Sequence, residues 1–145
     1  MRLIYLVRTE PHPSLPLRAT EGSWGFDIRN YHTEIFVPKQ VKIVKSGWEL
    51  AEPLPEDVML LVLPRSSLFL KYGLIMPNSP GLIDRDYTGD ISLLLLNLKD
   101  ETINIESGTR LGQLMFTHGE KVEFKVVDLI TQNHPERGGF GSTGI

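Results

Sequence analysis

Between two apolar runs the chain places Gly81-Leu82-Ile83-Asp84-Arg85-Asp86-Tyr87-Thr88-Gly89-Asp90, a segment that gathers carboxylates, a tyrosine and two turn glycines. Asp84 follows apolar Leu82 and Ile83. A carboxylate drawn partly out of water becomes more basic, and could then orient or deprotonate a water molecule. Tyr87 offers a flat wall of the kind a sugar packs on. A calcium loop is the first rival, but Leu95 stands where such a loop needs its bidentate glutamate, and the flanks read as strands rather than helices. Read alone, the segment is equally an Asp- and Gly-rich turn.

Three other polar islands accompany it. Pro64-Arg65-Ser66-Ser67 follows an apolar run and supplies a guanidinium, hydroxyls and backbone N–H groups, the inventory that binds phosphate oxygens and also that of an ordinary turn. Gln113 sits in the apolar run Arg110-Leu111-Gly112-Gln113-Leu114, where its amide must bond either neighbouring backbone or a ligand. Arg137-Gly138-Gly139-Phe140-Gly141-Ser142-Thr143-Gly144 has the composition of a disordered tail, and equally of a flap that stacks an aromatic on a base and wraps phosphates. It is no P-loop, because no lysine follows the glycines. The four histidines lack metal-ligand spacing, and no serine nucleophile elbow is present.

These residues need a scaffold, and the chain supplies short strands. Runs at 2–7, 33–37, 41–44, 58–63, 68–76, 91–98, 102–105, 110–117 and 121–127 are rich in β-branched and apolar residues, with Gly, Pro, Asn and Asp between them. Val122, Phe124 and Val126 alternate as a half-buried strand requires, and Ser92 to Leu96 reads as a buried central strand. Many short strands at this spacing predict an all-β sandwich, jelly roll or barrel. At 145 residues the chain makes one domain, expected over 1–136, with 137–145 as a mobile glycine-rich arm. No leader pattern or bilayer-length apolar run is seen, which predicts no secretion and no membrane partner. Zero cysteines exclude thiolate metal sites and disulfides, and a net charge of −3 argues against a nucleic-acid surface. A phosphorylated ligand must therefore meet locally supplied positive charge.

Taken in order, the islands resemble the five motifs of the homotrimeric dUTP diphosphatases, or dUTPases. Trp24-Gly25-Phe26-Asp27-Ile28 is similar to the first, Pro64 to Leu68 to the second, Gly81 to Asp90 to the third, Arg110 to Leu114 to the fourth and Arg137 to Gly144 to the fifth. The pattern departs from the family in two places. Trp24 replaces a small residue, and the spacing from Arg137 to Phe140 is short, as in some Gram-positive bacterial and phage members.

The resemblance implies a distorted jelly-roll barrel with a flexible arm, and hydrolysis of dUTP to dUMP and pyrophosphate by attack of water at the α-phosphate. That reaction limits uracil in DNA and supplies dUMP for dTTP synthesis. Asp84 would hold the attacking water and meet the sugar 3′-hydroxyl, while Tyr87 would pack under the sugar and exclude a 2′-hydroxyl. Asn78, Gly81 and Ile83 would lie in the hairpin that reads uracil. Arg65, Ser66, Ser67 and Gln113 would meet the phosphates, Phe140 would cover the base, and Arg137, Gly141, Ser142 and Thr143 would close on the phosphates. Mg2+ is implied on the triphosphate, with Asp27 touching it only through water. A homotrimer with shared sites and a cytoplasmic setting, in a cell or a phage-infected host, are implied too. A regulatory protein partner is a further implication for a phage-encoded member, with the stretch from Ser46 to Asp57 left without a role. The related dCTP deaminases need a glutamate in the strand after the third motif, and Ile91-Ser92-Leu93-Leu94-Leu95-Leu96 has none.

Overall fold

Proline, glycine and aspartate punctuation cuts the chain into short extended runs, and the computed structural model, which describes residues 2–126, turns them into strands. In chain order these are β1 (Leu6–Arg8), β2 (Leu17–Arg18), β3 (Phe26–Arg29), β4 (Glu34–Phe36), β5 (Val41–Val44), β6 (Trp48–Leu50) and β7 (Val58–Pro64). A single helical turn, α1 (Leu68–Tyr72), precedes β8 (Leu74–Ile75), β9 (Gly81–Ile83), β10 (Leu93–Asn97), β11 (Ile103–Ile105) and β12 (Arg110–His118). The largest sheet has the order β2-β3-β12-β7-β9, and smaller sheets pair β5-β10-β8, β1-β6 and β11-β4. Every pairing between them is antiparallel. Leu60 and Val62 from β7, Leu111 and Leu114 from β12, Leu93 and Leu95 from β10, and Phe36 fill the core between the sheets. The all-β expectation holds. No helix among the described residues is long and apolar enough to cross a membrane.

The run at 68–76 is strand only over Leu74–Ile75; its first part winds into α1 instead. Leu68 N–H donates to Arg65 O at 3.0 Å and Lys71 N–H to Ser67 O at 3.0 Å, which winds one helical turn. Gly73 ends it at φ 66°, a left-handed conformation that glycine adopts without steric cost, and donates its N–H to Phe69 O at 2.7 Å. Burial decides the outcome: Leu68, Leu74 and Met76 reach the core, whereas Phe69 and Leu70 stay outside. Residues 121–126 likewise form no strand within this chain. Val122, Phe124 and Val126 are 69%, 92% and 94% exposed, so their alternation has no sheet to serve among the described residues. β10 is central in its sheet as expected, with Leu93 and Leu95 inward, but Leu94 and Leu96 are only half-buried. The two-residue β2, and the three- or four-residue β3, β6 and β9, are too short or too polar to predict.

Candidate active site

The second and fourth motif segments meet because β12 lies between β3 and β7. Gln113 is level with Asp27 on one side and with Leu63 on the other. Its amide Nε2 donates to Pro64 O at 3.2 Å, so part of its hydrogen-bonding capacity holds the end of β7. Gly25 lies close beneath it: a Cβ at that position would sit 2.4 Å from Gln113 Oε1 and 3.2 Å from its Cβ. Gly25→Ala is therefore expected to swing the Gln113 amide away and raise KM for a phosphorylated substrate several-fold with little loss of Tm. Steady-state kinetics beside a thermal melt check this.

Asp27 is the electrostatic centre of this end. Arg65 Nε donates to its Oδ1 at 2.9 Å, and a terminal guanidinium nitrogen of Arg110 donates to its Oδ2 at 3.0 Å. The Asp27 side chain is only 13% exposed, and Arg65 24%, so the pair is shielded enough from water for its geometry to be well held. Arg65 also points a terminal nitrogen at Ser67 Oγ, 3.4 Å away. Ser66 is exposed beside them. One carboxylate thus orients two guanidiniums whose remaining N–H groups are available to an anion. Arg110, which motif reading passed over as a functional residue, is the arginine three positions before Gln113 at the bulge of β12, where register shifts between Arg110 and Gly112.

The third motif segment forms β9 and the turn beyond it. Gly81 is level with Val62 and Ile83 with Leu60. Asn78 precedes the strand, and its Nδ2 would lie 3.4 Å from a Cβ on Gly81. Asp84 begins the turn, its carbonyl accepting Tyr87 N–H at 3.1 Å. Its side chain is exposed in the single chain, so Leu82 and Ile83 do not bring about the desolvation that their apolarity predicts; Leu82 itself is 57% exposed. The Tyr87 hydroxyl donates to Asp90 O at 3.2 Å, and the phenol passes directly over Gly89, where a Cβ would come 2.3 Å from its oxygen.

The segment from Ser46 to Asp57 holds this turn in place. Ser46 and Gly47 donate their N–H groups to the Asp90 carboxylate, and Leu54 N–H donates to Arg85 O at 2.8 Å. Arg85 Nε donates back to Leu54 O at 3.1 Å. Glu56 lies between Arg85 and Lys121, and its carboxyl is held below its ordinary range by the Lys121 hydrogen bond first, then by the charges of Lys121 and Arg85.

The two groups of residues stand at opposite ends of β7. Ile83 is level with Leu60, so Asp84 lies one position past that level on the side of Met59, while Arg65 lies five positions past it in the other direction. Six positions of extended chain at about 3.3 Å each separate them by about 20 Å along the sheet. Val58, Met59, Ile83, Asp84 and Arg85 line a cavity of about 200 Å³ with Gly119 and Lys121, away from the Asp27 end. Arg137, Phe140, Gly141, Ser142 and Thr143 lie outside the described residues, as does the boundary drawn at 136.

The dUTPase family model matches residues 12–144. The deoxyuridine 5′-triphosphate nucleotidohydrolase of Rickettsia typhi is 37% identical over 134 residues, covering 91% of this chain and 89% of its own. That of Zymomonas mobilis subsp. mobilis is 35% identical over 148 residues and is matched along the whole of both chains. Among solved structures, a Staphylococcus bacteriophage 80alpha dUTPase mutant with dUpNHpp superposes with a TM-score of 0.87 at 20% identity, covering 100% of each chain. A phage phi11 dUTPase mutant of S. aureus, whose structure concerns a structural Mg(II) ion, superposes with a TM-score of 0.80 at 19% identity, covering 90% of this chain and 100% of its own. The strand arrangement described above is thus that of the distorted jelly roll these proteins adopt.

Proposed function

The chain belongs to the dUTPase family, and from that premise we propose that it hydrolyses dUTP to dUMP and pyrophosphate at sites shared between copies of itself. The observation that carries the proposal is the separation of the Asp84 turn from the Arg65, Asp27 and Gln113 group by most of the length of β7. Reacting atoms must come within about 3–3.5 Å, and a water held by Asp84 cannot meet a phosphate held by Arg65 of the same chain. A second copy that brings its Arg65 end to the first copy's Asp84 turn completes the site. The outward face of β5 and β10 supports assembly, since Val41 and Ile43 are 52% and 70% exposed beside half-buried Leu96 and Leu94. A closed ring of three copies makes three equivalent sites.

In this reading Asn78, Gly81 and Ile83 shape the uracil pocket and Tyr87 lies under the deoxyribose. Asp84 accepts a hydrogen bond from the attacking water, aligns it on the α-phosphorus and takes up its proton as the P–O bond forms. The bond to the bridging oxygen breaks, and pyrophosphate leaves into the N–H groups of Arg65, the hydroxyls of Ser66 and Ser67, and Gln113. Substrate binding supplies the desolvation that the single chain does not. Among the described residues no three His, Asp or Glu side chains converge to hold a metal. Mg2+ bound with the triphosphate would neutralise part of its charge, and Asp27, whose two oxygens accept from Arg65 and Arg110, would be the nearest carboxylate to it, touching it only through water. The fifth-motif residues Arg137, Phe140, Gly141, Ser142 and Thr143 are assigned contacts with the base and phosphates.

Purified protein with Mg2+ is expected to release pyrophosphate from dUTP and far less from dTTP, dCTP or UTP. Comparable turnover of dCTP with release of ammonia would overturn the reading in favour of a deaminase.

A further inference from the structure

We propose that Asp90, six residues beyond the attacking-water carboxylate, is a positioning residue that sets the discrimination between deoxyribo- and ribonucleotides. The inference rests on the functional reading above and adds a residue to it.

The Asp90 carboxylate takes four hydrogen bonds from three separate parts of the chain. Ser46 N–H donates to Oδ1 at 3.0 Å and Gly47 N–H to Oδ2 at 2.9 Å. The Thr9 hydroxyl donates to Oδ2 at 2.6 Å, and the Ser92 hydroxyl to Oδ1 at 3.0 Å. Both oxygens are therefore used twice, and the residue is fixed against the β1 end, the turn before β6 and the start of β10. Gly47 holds φ 84° in that turn, which directs its N–H at the carboxylate and would strain any residue with a side chain. Such a dense set of bonds is far more than a solvated turn aspartate needs for its own solvation.

What it immobilises is the acceptor for Tyr87. The backbone carbonyl of Asp90 receives the Tyr87 hydroxyl at 3.2 Å, while the other end of the tyrosine is tied by its N–H to Asp84 O. The ring bridges the turn from Asp84 to Asp90, over a Gly89 that leaves it room. Tyr87 is 42% exposed, and its two ends are tied to the Asp84 and Asp90 carbonyls. A wall that rejects an extra hydroxyl works only if it cannot retreat, because rejection depends on the cost of moving it. The carboxylate of Asp90 supplies that stiffness through its own backbone.

The test is the ratio of kcat/KM for dUTP to that for UTP, read from pyrophosphate release by the assembled full-length enzyme. Losing one hydrogen bond's worth of restraint corresponds to about fivefold to tenfold. Asp90→Ala is expected to lower the ratio by about that factor, chiefly by raising UTP turnover, and Tyr87→Phe to lower it similarly. The double variant should be no worse than either alone, since both cut the same connection. Asp90→Asn keeps an acceptor oxygen and should recover part of the ratio. A merely structural role would depress both nucleotides together and leave the ratio unchanged, which would overturn the proposal, as would additive effects in the double variant. Should Asp90→Ala not fold, Thr9→Val removes a single donor and is expected to shift the ratio in the same direction by a smaller factor. An unchanged ratio there overturns the proposal equally. A wild-type protein inactive on dUTP would instead refute the functional reading.

Discussion

Asp84→Asn is expected to lower kcat for pyrophosphate release by about 10²–10⁴-fold, the usual contribution of a positioned general base, while affinity for a non-hydrolysable dUTP analogue stays within a few-fold. The amide keeps an oxygen and the size of the side chain, so it still meets the sugar hydroxyl and leaves the turn intact. What it loses is the anion that, on the proposed mechanism, accepts the proton of the attacking water. The Asp84 carbonyl, which accepts Tyr87 N–H, is unaffected, so the sugar platform survives the change. A fall in affinity that matched the fall in kcat would assign Asp84 to binding rather than to chemistry. Isothermal titration with the analogue, set against single-turnover rates, separates the two.

Complementation is the second large effect. Asp84→Asn and Arg65→Ala should each be nearly inactive alone, and a mixture refolded or exchanged together should regain activity. In a mixed assembly some sites take Asp84 from an Arg65→Ala copy and Arg65 from an Asp84→Asn copy, so those sites hold both native residues. For random assembly of equal amounts about a quarter of sites qualify, if each site draws its two halves from adjacent copies of a closed ring. Activity that remained at the level of the separate variants would place both halves in one chain, contrary to the distance along β7. Arg65→Ala also leaves Asp27 with Arg110 alone, so thermal melts of the parent variants should accompany the assay.

Much of the architecture is legible in the sequence. β5 appears over the predicted 41–44, and β7, β10, β11 and β12 begin or end within two residues of their predicted bounds, because apolar alternation and turn residues act locally. Of the strand predicted at 68–76 only Leu74–Ile75 forms, for a reason that is not local. Its β-type composition is overruled by Gly73 in a left-handed conformation and by a core that accepts Leu68 and Leu74 but not Leu70. Residues 121–126 keep the alternation of a strand without a partner among the described residues, and periodicity cannot say whose sheet a strand joins.

The site divides along the same line. By itself the sequence determined which chemical groups are present and in what order: Asp84 and Tyr87 in one turn, Arg65 with two serines in another, Gln113 on a strand and Asp27 within the first motif. It did so because turn chemistry and motif spacing are properties of neighbouring residues. Only the tertiary structure decided that Asp27 grips Arg65 and Arg110, residues 38 and 83 positions away in the chain. It alone showed that the 46–54 stretch and Thr9 hold the Asp90 end of the Asp84 turn, and that this turn and the Arg65 group stand far apart along β7. Those are consequences of strand order and register, in which β12 brings β3 and β7 together while β9 runs antiparallel along β7 and carries Asp84 away from Arg65.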